Sequence, residues 1–174
     1  MTRTPPPQIP LPIQGDGFLL RAQRRDDADG RFRLHSDPDY VAFIGDTTDR
    51  AKSDAQLNYE LGGKSEHLIL VIASLPSDEM VGECVLTYST VGEAEITIGL
   101  LPAARGRSIA KSAIDAVVAQ LFEDPYYKQV VACVRSQNDR AIQLVSALGM
   151  SEDGEVDRIG GPQMRYVLRR PPDA

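Results

Sequence analysis

The sequence predicts an α/β protein of the α+β kind: one mixed sheet of about six to seven strands with helices on both faces. Three observations predict it. Three strand-like runs follow one another with only short turns between them, which is the pattern of an antiparallel meander. An alternation of strand, helix, strand, helix and strand comes next, which requires crossover connections and so a parallel pairing somewhere in the sheet. Apolar residues recur at helical spacing in the two later helical segments, each giving one face to bury against a sheet.

In chain order, "MTRTPPPQIPLPIQ" is proline-rich, and residues 1–16 are expected to form an extended, disordered tail before a single domain over 17–170. "GFLLRAQRR" reads as a first strand. "DDADGRFRLHSDPDYVAFIG" reads as a helix interrupted by turn chemistry at Ser36, Asp37, Pro38 and Asp39, and a further helical stretch around 52–61 ends at Gly62 and Gly63. The meander then consists of "HLILVIAS", "EMVGECVLTYS" and "EAEITIGLL", joined by "LPSD" and "TVGE". Ile109, Ala113, Val117 and Leu121 fall four apart and make a helix face. "QVVACV" is a short buried strand. Asn138 is a favoured N-cap for the next helix, whose apolar side is Ala141, Ile142, Val145 and Leu148, and Gly149 stands where a left-handed C-terminal cap favours glycine. "QMRYVLRR" closes the sheet.

Composition narrows the function classes. The chain has 174 residues, 42% hydrophobic and 25% charged, enough to bury a sizeable core. No apolar run reaches membrane-spanning length and the start lacks the charged-then-apolar layout of a signal peptide, so a cytoplasmic protein with no membrane partner is expected. Cys84 and Cys133 sit in apolar strand-like runs and read as reduced core residues. With two isolated histidines, no metal-ligand cluster has the usual spacing. A net charge of −6 argues against nucleic-acid binding. Between Asp26 and Glu60 there are nine acids (Asp26, Asp27, Asp29, Asp37, Asp39, Asp46, Asp49, Asp54, Glu60) against four bases. That excess is either a solvated surface or an acidic wall for a cationic substrate.

The stretch "IGLLPAARGRSIAKSAI" places Arg-Gly-Arg-Ser between a strand and a helix. Backbone N–H groups and the helix dipole converge on an anion at such a turn, glycine permits close approach, and arginine adds charge. The alternative is a plain helix-start turn.

These residues carry a resemblance. "ITIGLLPAARGRSIAKSAIDAVVAQLF" and "VVACVRSQNDRAIQLVSALGM" resemble the acetyl-CoA-binding core of the GNAT N-acetyltransferase superfamily. The "LRAQRRDDAD…HSDPDYVAFIG" opening is similar to the branch holding ribosomal-protein N-terminal and aminoglycoside acetyltransferases, and the likeness spans about residues 17 to 169. The family's pyrophosphate signature falls on Ala103, Gly106 and Ser108, of which Gly106 matches in type. The resemblance implies a GNAT fold with splayed central strands and acetyl-CoA (coenzyme A) as cofactor. Arg105, Gly106, Arg107, Ser108, Ile109 and Ala110 then hold phosphate. A bulge ends "EITIGLL", Ile98, Leu100 and Leu101 offer main-chain contacts to the pantetheine arm, and Asn138 holds its end or an ordered water.

The implied reaction is direct acetyl transfer to a primary amine in a ternary complex, with a carboxylate taking the ammonium proton. Glu95 is the first candidate, Glu93 lies on the same strand face two residues earlier, and Glu83 is the third; a solvent-facing glutamate is the alternative for each. The family's frequent proton donor to sulfur, a tyrosine seven residues after the asparagine, is Val145 here. Water, Ser136, Ser146 or Tyr88 then inherits the role. The acceptor is a small-molecule or peptide amine, cationic if the acidic wall is real, and dimers are common in the family. The reading from another class is a catalytically weak or silent acyl-CoA-binding module; transfer of a longer acyl group is a third.

Overall fold

The computed structural model describes residues 6–45, 48–88 and 91–172. The elements in chain order are β1 (Ile13–Gly15), β2 (Phe18–Ala22), α1 (Ala28–His35), α2 (Pro38–Phe43), α3 (Arg50–Leu61), β3 (His67–Ser74), β4 (Met80–Tyr88), β5 (Glu93–Leu100), α4 (Ile109–Glu123), β6 (Gln129–Val134), α5 (Asp139–Ala147), β7 (Ser151–Arg158) and β8 (Gly161–Arg169). They form one eight-stranded sheet in the order β1-β2-β3-β4-β5-β6-β8-β7. The α/β class and the antiparallel meander are as the sequence predicts.

α2, α3 and α5 each start at a capping side chain. Asp37 accepts from Tyr40 N and precedes Pro38, a residue suited to the first helical turn, so the chain breaks after α1 and restarts as α2. Asp49 accepts from Lys52 N at the start of α3. Asn138 accepts from Ala141 N at 3.1 Å, and Gly149, at φ 73°, ends α5.

Alternation along the meander sorts side chains to two faces. Leu70, Ile72, Cys84, Leu86, Ala94 and Ile96 pack on one side with the buried stripe of α4, Ile109, Ala113, Val117 and Leu121. Val71, Ala73 and Met80 pack on the other with Leu34 of α1. The sheet is therefore sandwiched. Cys84 is buried, Cys133 is half-buried and both are free thiols.

Two strands were not expected. Residues 1–5 lie outside the described residues, but the segment read as a disordered tail contains β1, which pairs with β2 at Ile13↔Leu20, while Ile9 and Ile13 pack against the core. The proline content hides a three-residue edge strand, whose pairing needs few free N–H groups. β7 is polar and mostly exposed along its length. It has no apolar periodicity to read, because an outermost strand satisfies its backbone by pairing with β8 without burying a face.

The sheet opens in its middle. β5 and β6, its parallel pair, are matched only at Glu93↔Gln129, Ala94↔Val130 and Glu95↔Val131. Beyond that rung the strands separate, as the resemblance implies. The bulge expected at the end of β5 is absent. Its register with β4 runs unbroken from Tyr88↔Ala94 to Gly82↔Leu100, and the bond from Leu101 N to Val81 O continues the ladder at 2.8 Å. The separation comes from β6 turning away toward β8, with which it pairs along its full length.

Candidate active site

The gap between β5 and β6 opens into two adjoining cavities of about 350 Å³ and about 490 Å³. Phe43, Ile44, Ile98, Asn138, Ala141 and Leu144 line both, so they form one groove that bends at Asn138. The larger cavity runs to the Arg-Gly-Arg-Ser turn and the start of α4. The smaller passes between the separated strands, past Ile98 and Val134, to Glu95, Cys133 and Arg158.

The turn before α4 is shaped for a close approach. Gly106 has φ 72°, and a Cβ built there would meet nothing within 4 Å. Ser108 follows at φ 57°, a left-handed conformation unusual for a side-chain-bearing residue, and from there Ile109, Ala110 and Lys111 begin the helix. The first-turn N–H groups of α4 have no intrahelical acceptor and make that end of the helix electropositive. Gly106, Ser108, Ile109 and Ala110 line the larger cavity, and Arg107 is exposed on the same turn. The donor set fits a phosphate anion.

Arg105 lines the same cavity, with its guanidinium engaged by the protein. Its Nε donates to Leu100 O at 3.0 Å, its Nη1 to Asp39 at 2.7 Å and its Nη2 to Asp37 at 2.5 Å. Arg140, in the first turn of α5, donates to the same Asp39 carboxylate, which holds that carboxyl below the usual range through its hydrogen bond and charge. Here Arg105 ties α2 to β5 and the α4 turn rather than standing free toward an anion.

The β5 backbone divides by alternation. Leu101 N faces β4, so in the unbroken antiparallel ladder Gly99 and Thr97 do too, whereas Ile98 and Leu100 turn their peptide groups to the gap. Ile98 and Leu100 are therefore placed as the sequence reading expected, and Leu101 is not: its N–H is taken by Val81. Gly99 is required by a neighbour, since a Cβ there would lie 2.7 Å from the Tyr40 ring.

The three glutamates have separate surroundings. Glu95 sits on the last paired rung of β5 and β6, lines the smaller cavity and pairs with Arg158 of β7 at 2.6 Å. Glu93 lines neither cavity; it is held by Gln129 at 2.6 Å and by Arg165 at 2.5 Å. Glu83 is buried and accepts from the Tyr40 hydroxyl at 2.7 Å, with His35 Nε2 at 2.8 Å. His35 and Tyr40 stack with ring centroids 4.7 Å apart. Burial, the Glu83 charge and the hydrogen bond to Glu83 push the Tyr40 hydroxyl far above its usual range. Val145 is buried in the smaller cavity wall. Ser136, Ser146 and Tyr88 line neither cavity.

The acidic segment does not form a wall here. Asp27 pairs with Arg21 at 2.8 Å, Asp29 with Arg50 at 2.6 Å, Asp54 with Arg50 at 2.9 Å, and Glu60 with Arg31. Of the segment's acids among the described residues, Asp39 alone lines the groove, and Asp46 lies outside the described residues. Sequence reasoning also missed Tyr40, Arg140, Cys133 and Arg158 as groove residues. The signal for Arg140 was its place two residues after the Asn138 cap. For Arg158 there was none, because β7 itself was not legible.

Among the described residues no helix is long and apolar enough to cross a membrane. A sequence model of the acetyltransferase (GNAT) domain matches residues 18–151. A GNAT-family acetyltransferase from Bacillus anthracis has the same fold, with a TM-score of 0.80 at 17% identity over 92% of this chain and 99% of that one. Ribosomal-protein-S5-alanine acetyltransferase from Vibrio fischeri gives 0.77 at 12% identity over 93% and 98%. Spermidine N-acetyltransferase from Vibrio cholerae, solved with CoA and spermine, gives 0.76 at 16% identity over 90% and 97%. That family model spans β2 through α5, the elements that build the groove and its anion-ready turn, and the chain belongs to the acetyltransferase (GNAT) family.

Proposed function

We propose that residues 17–170 form one domain that transfers an acetyl group from acetyl-CoA to a primary amine by direct attack within a ternary complex. The observation that carries this reading is the bent groove: one arm ends at an anion-ready turn, the other at a carboxylate, and they meet where β5 and β6 part. Bound acetyl-CoA supplies an activated thioester carbonyl. Gly106, Arg107, Ser108 and the first N–H groups of α4, at Ile109 and Ala110, hold its phosphates. Ile98 and Leu100 offer peptide groups to an extended ligand arm as a neighbouring strand would. Asn138, at the bend, serves both as the α5 cap and as a polar contact for the end of that arm.

Glu95 accepts the ammonium proton, directly or through a water, which leaves a neutral amine to attack. The C–N bond forms as the C–S bond breaks; the acylated nitrogen releases its second proton to solvent and the departing sulfur takes one from solvent, since Val145 offers none. Glu93, bound away from the groove, serves as an anchor for β6 and β8.

The test is to mix the purified protein with acetyl-CoA and a panel of primary amines and to follow thiol release, with CoA binding measured in parallel by calorimetry. Amine-dependent release supports the reading. CoA binding without release from acetyl-CoA or longer acyl-CoA thioesters, whatever the amine, would instead make the domain a silent acyl-CoA-binding module.

A further inference from the structure

The ionisable side chains lining the smaller cavity are Glu95, Cys133, Arg135 and Arg158. Burial pushes the Cys133 thiol up, with the Arg158 hydrogen bond opposing it in part, so the sulfur carries no charge at neutral pH. Two guanidinium groups therefore face one carboxylate. Arg158 Nη2 reaches Glu95 at 2.6 Å and Cys133 Sγ at 3.2 Å, and its side chain remains 44% exposed, open to a solute in the cavity. Arg135 donates Nη1 to Gly160 O at 2.8 Å. Its Nε is buried and has no hydrogen-bond partner among the described residues. An atom closed to water cannot itself meet a solute, so Arg135 acts on the cavity through its charge. Gln163 and the fully exposed Ile159 complete this end of the cavity.

We infer that the acceptor is an amino acid, its carboxylate held by Arg158 beside the charge of Arg135 and its amine presented to Glu95. This deepens the acetyl-transfer reading and rests on it. The contact between Glu95 and Arg158 sets the scale. Groups only 2.6 Å apart are bridged by a molecule whose amine and carboxylate lie within a few bonds of each other. A polyamine brings two cations to a site with a surplus of arginine, and a long peptide leaves its carboxylate outside. When the acceptor carboxylate engages Arg158, Glu95 gives up its partner and becomes free to take the ammonium proton. An incoming zwitterion thus exchanges the Glu95–Arg158 pair for two new pairs, with the charge of Arg135 standing beside the acceptor carboxylate.

The experiment compares L-amino acids, their uncharged amides and spermidine as acceptors with acetyl-CoA. Thiol release is one readout, and calorimetric binding of the same compounds to the CoA complex is the other. Amino acids should exceed their amides by roughly 10- to 100-fold in kcat/KM and in affinity, the worth of a charge-assisted hydrogen bond. Arg158→Gln and Arg135→Gln should each bring that ratio to within about threefold, whereas a merely structural role would lower all acceptors alike. Amides or spermidine turned over as well as amino acids would overturn the acceptor assignment and leave acetyl transfer standing. Where no amine releases thiol, the acetyl-transfer reading fails instead. The calorimetry then still decides recognition: equal binding of acid and amide overturns the arginine site, and preferential binding of the acid sustains it.

Discussion

Arg105 holds two carboxylates of the α2 start at once, Asp37 at 2.5 Å and Asp39 at 2.7 Å, across 68 and 66 residues of chain. The Asp37 side chain is 10% exposed and that of Arg105 is 23% exposed, so this brace is better shielded from solvent than an ordinary surface pair. It fixes α2, and with it Tyr40, Phe43 and Ile44, as one wall of the groove.

Arg105→Glu sets a third carboxylate against two others. Its expected cost is about 1–3 kcal/mol of folding stability, read as a lower denaturant midpoint. Acetyl-CoA affinity should fall about tenfold, because the groove wall loosens. Arg105→Gln, which keeps donors without charge, should lose less of both. An unchanged midpoint in the glutamate variant would show that the brace contributes nothing.

The left-handed backbone at Gly106 and Ser108 makes opposite predictions for the two positions. Gly106→Val should cost about 1–2 kcal/mol through positive φ alone, and should also weaken CoA binding by projecting a side chain into the open space at the turn. Ser108→Gly relieves the same strain and should raise stability by up to about 1 kcal/mol, with CoA affinity equal or higher. Chemical denaturation and calorimetry separate the two effects. A Ser108→Gly protein that binds CoA more weakly would identify the serine hydroxyl as a ligand donor.

Glu95→Gln should lower kcat by about 10²–10⁴-fold with little change in CoA affinity, as expected for loss of a general base. Glu93→Gln, outside the groove, should change kcat by less than about threefold while lowering stability. Single-turnover rates at several pH values test the pair. Full activity in the Glu95 variant across neutral pH would leave the amine to lose its proton to solvent.

The acid side of the stability profile should carry the signature of Glu60. Burial pushes its carboxyl up, but hydrogen bonds from Arg31, Gln56 and Gln23 together with the Arg31 charge outweigh that, and the group lies below its ordinary value of 4.5. A carboxyl with a depressed folded pKa contributes stability above its unfolded value and loses it as pH falls through the folded one. Both side chains of the Arg31–Glu60 pair are 5% exposed. Glu60→Gln should therefore cost about 1–3 kcal/mol at pH 7. The gap between the two proteins should stay constant down to about pH 5.5 and shrink below pH 4.5. Thermal melts over that range check it. A gap that does not narrow in acid would remove Glu60 from the acid transition.

By itself the sequence determined the order of elements and most of their limits. A strand or helix that buries a face writes its period into the chain, and Asp37, Asp49, Asn138 and Gly149 mark termini through bonds made within a few residues. The anion-ready turn was legible for the same reason, since Gly106 and the start of α4 act through their own backbone. Tertiary structure alone decided the rest. β1 and β7 bury no continuous apolar face and leave no period. The pairs of Asp37, Asp39 and Glu60 in the 26–60 segment and the Glu95–Arg158 contact depend on partners brought together by folding, 63 residues apart in the last case. Charge along a chain is additive, but the field at a site depends on which charges are already matched nearby. That is why a segment rich in acids gives no acidic wall, and why a chain of net charge −6 has a cavity lined by two arginines and one glutamate.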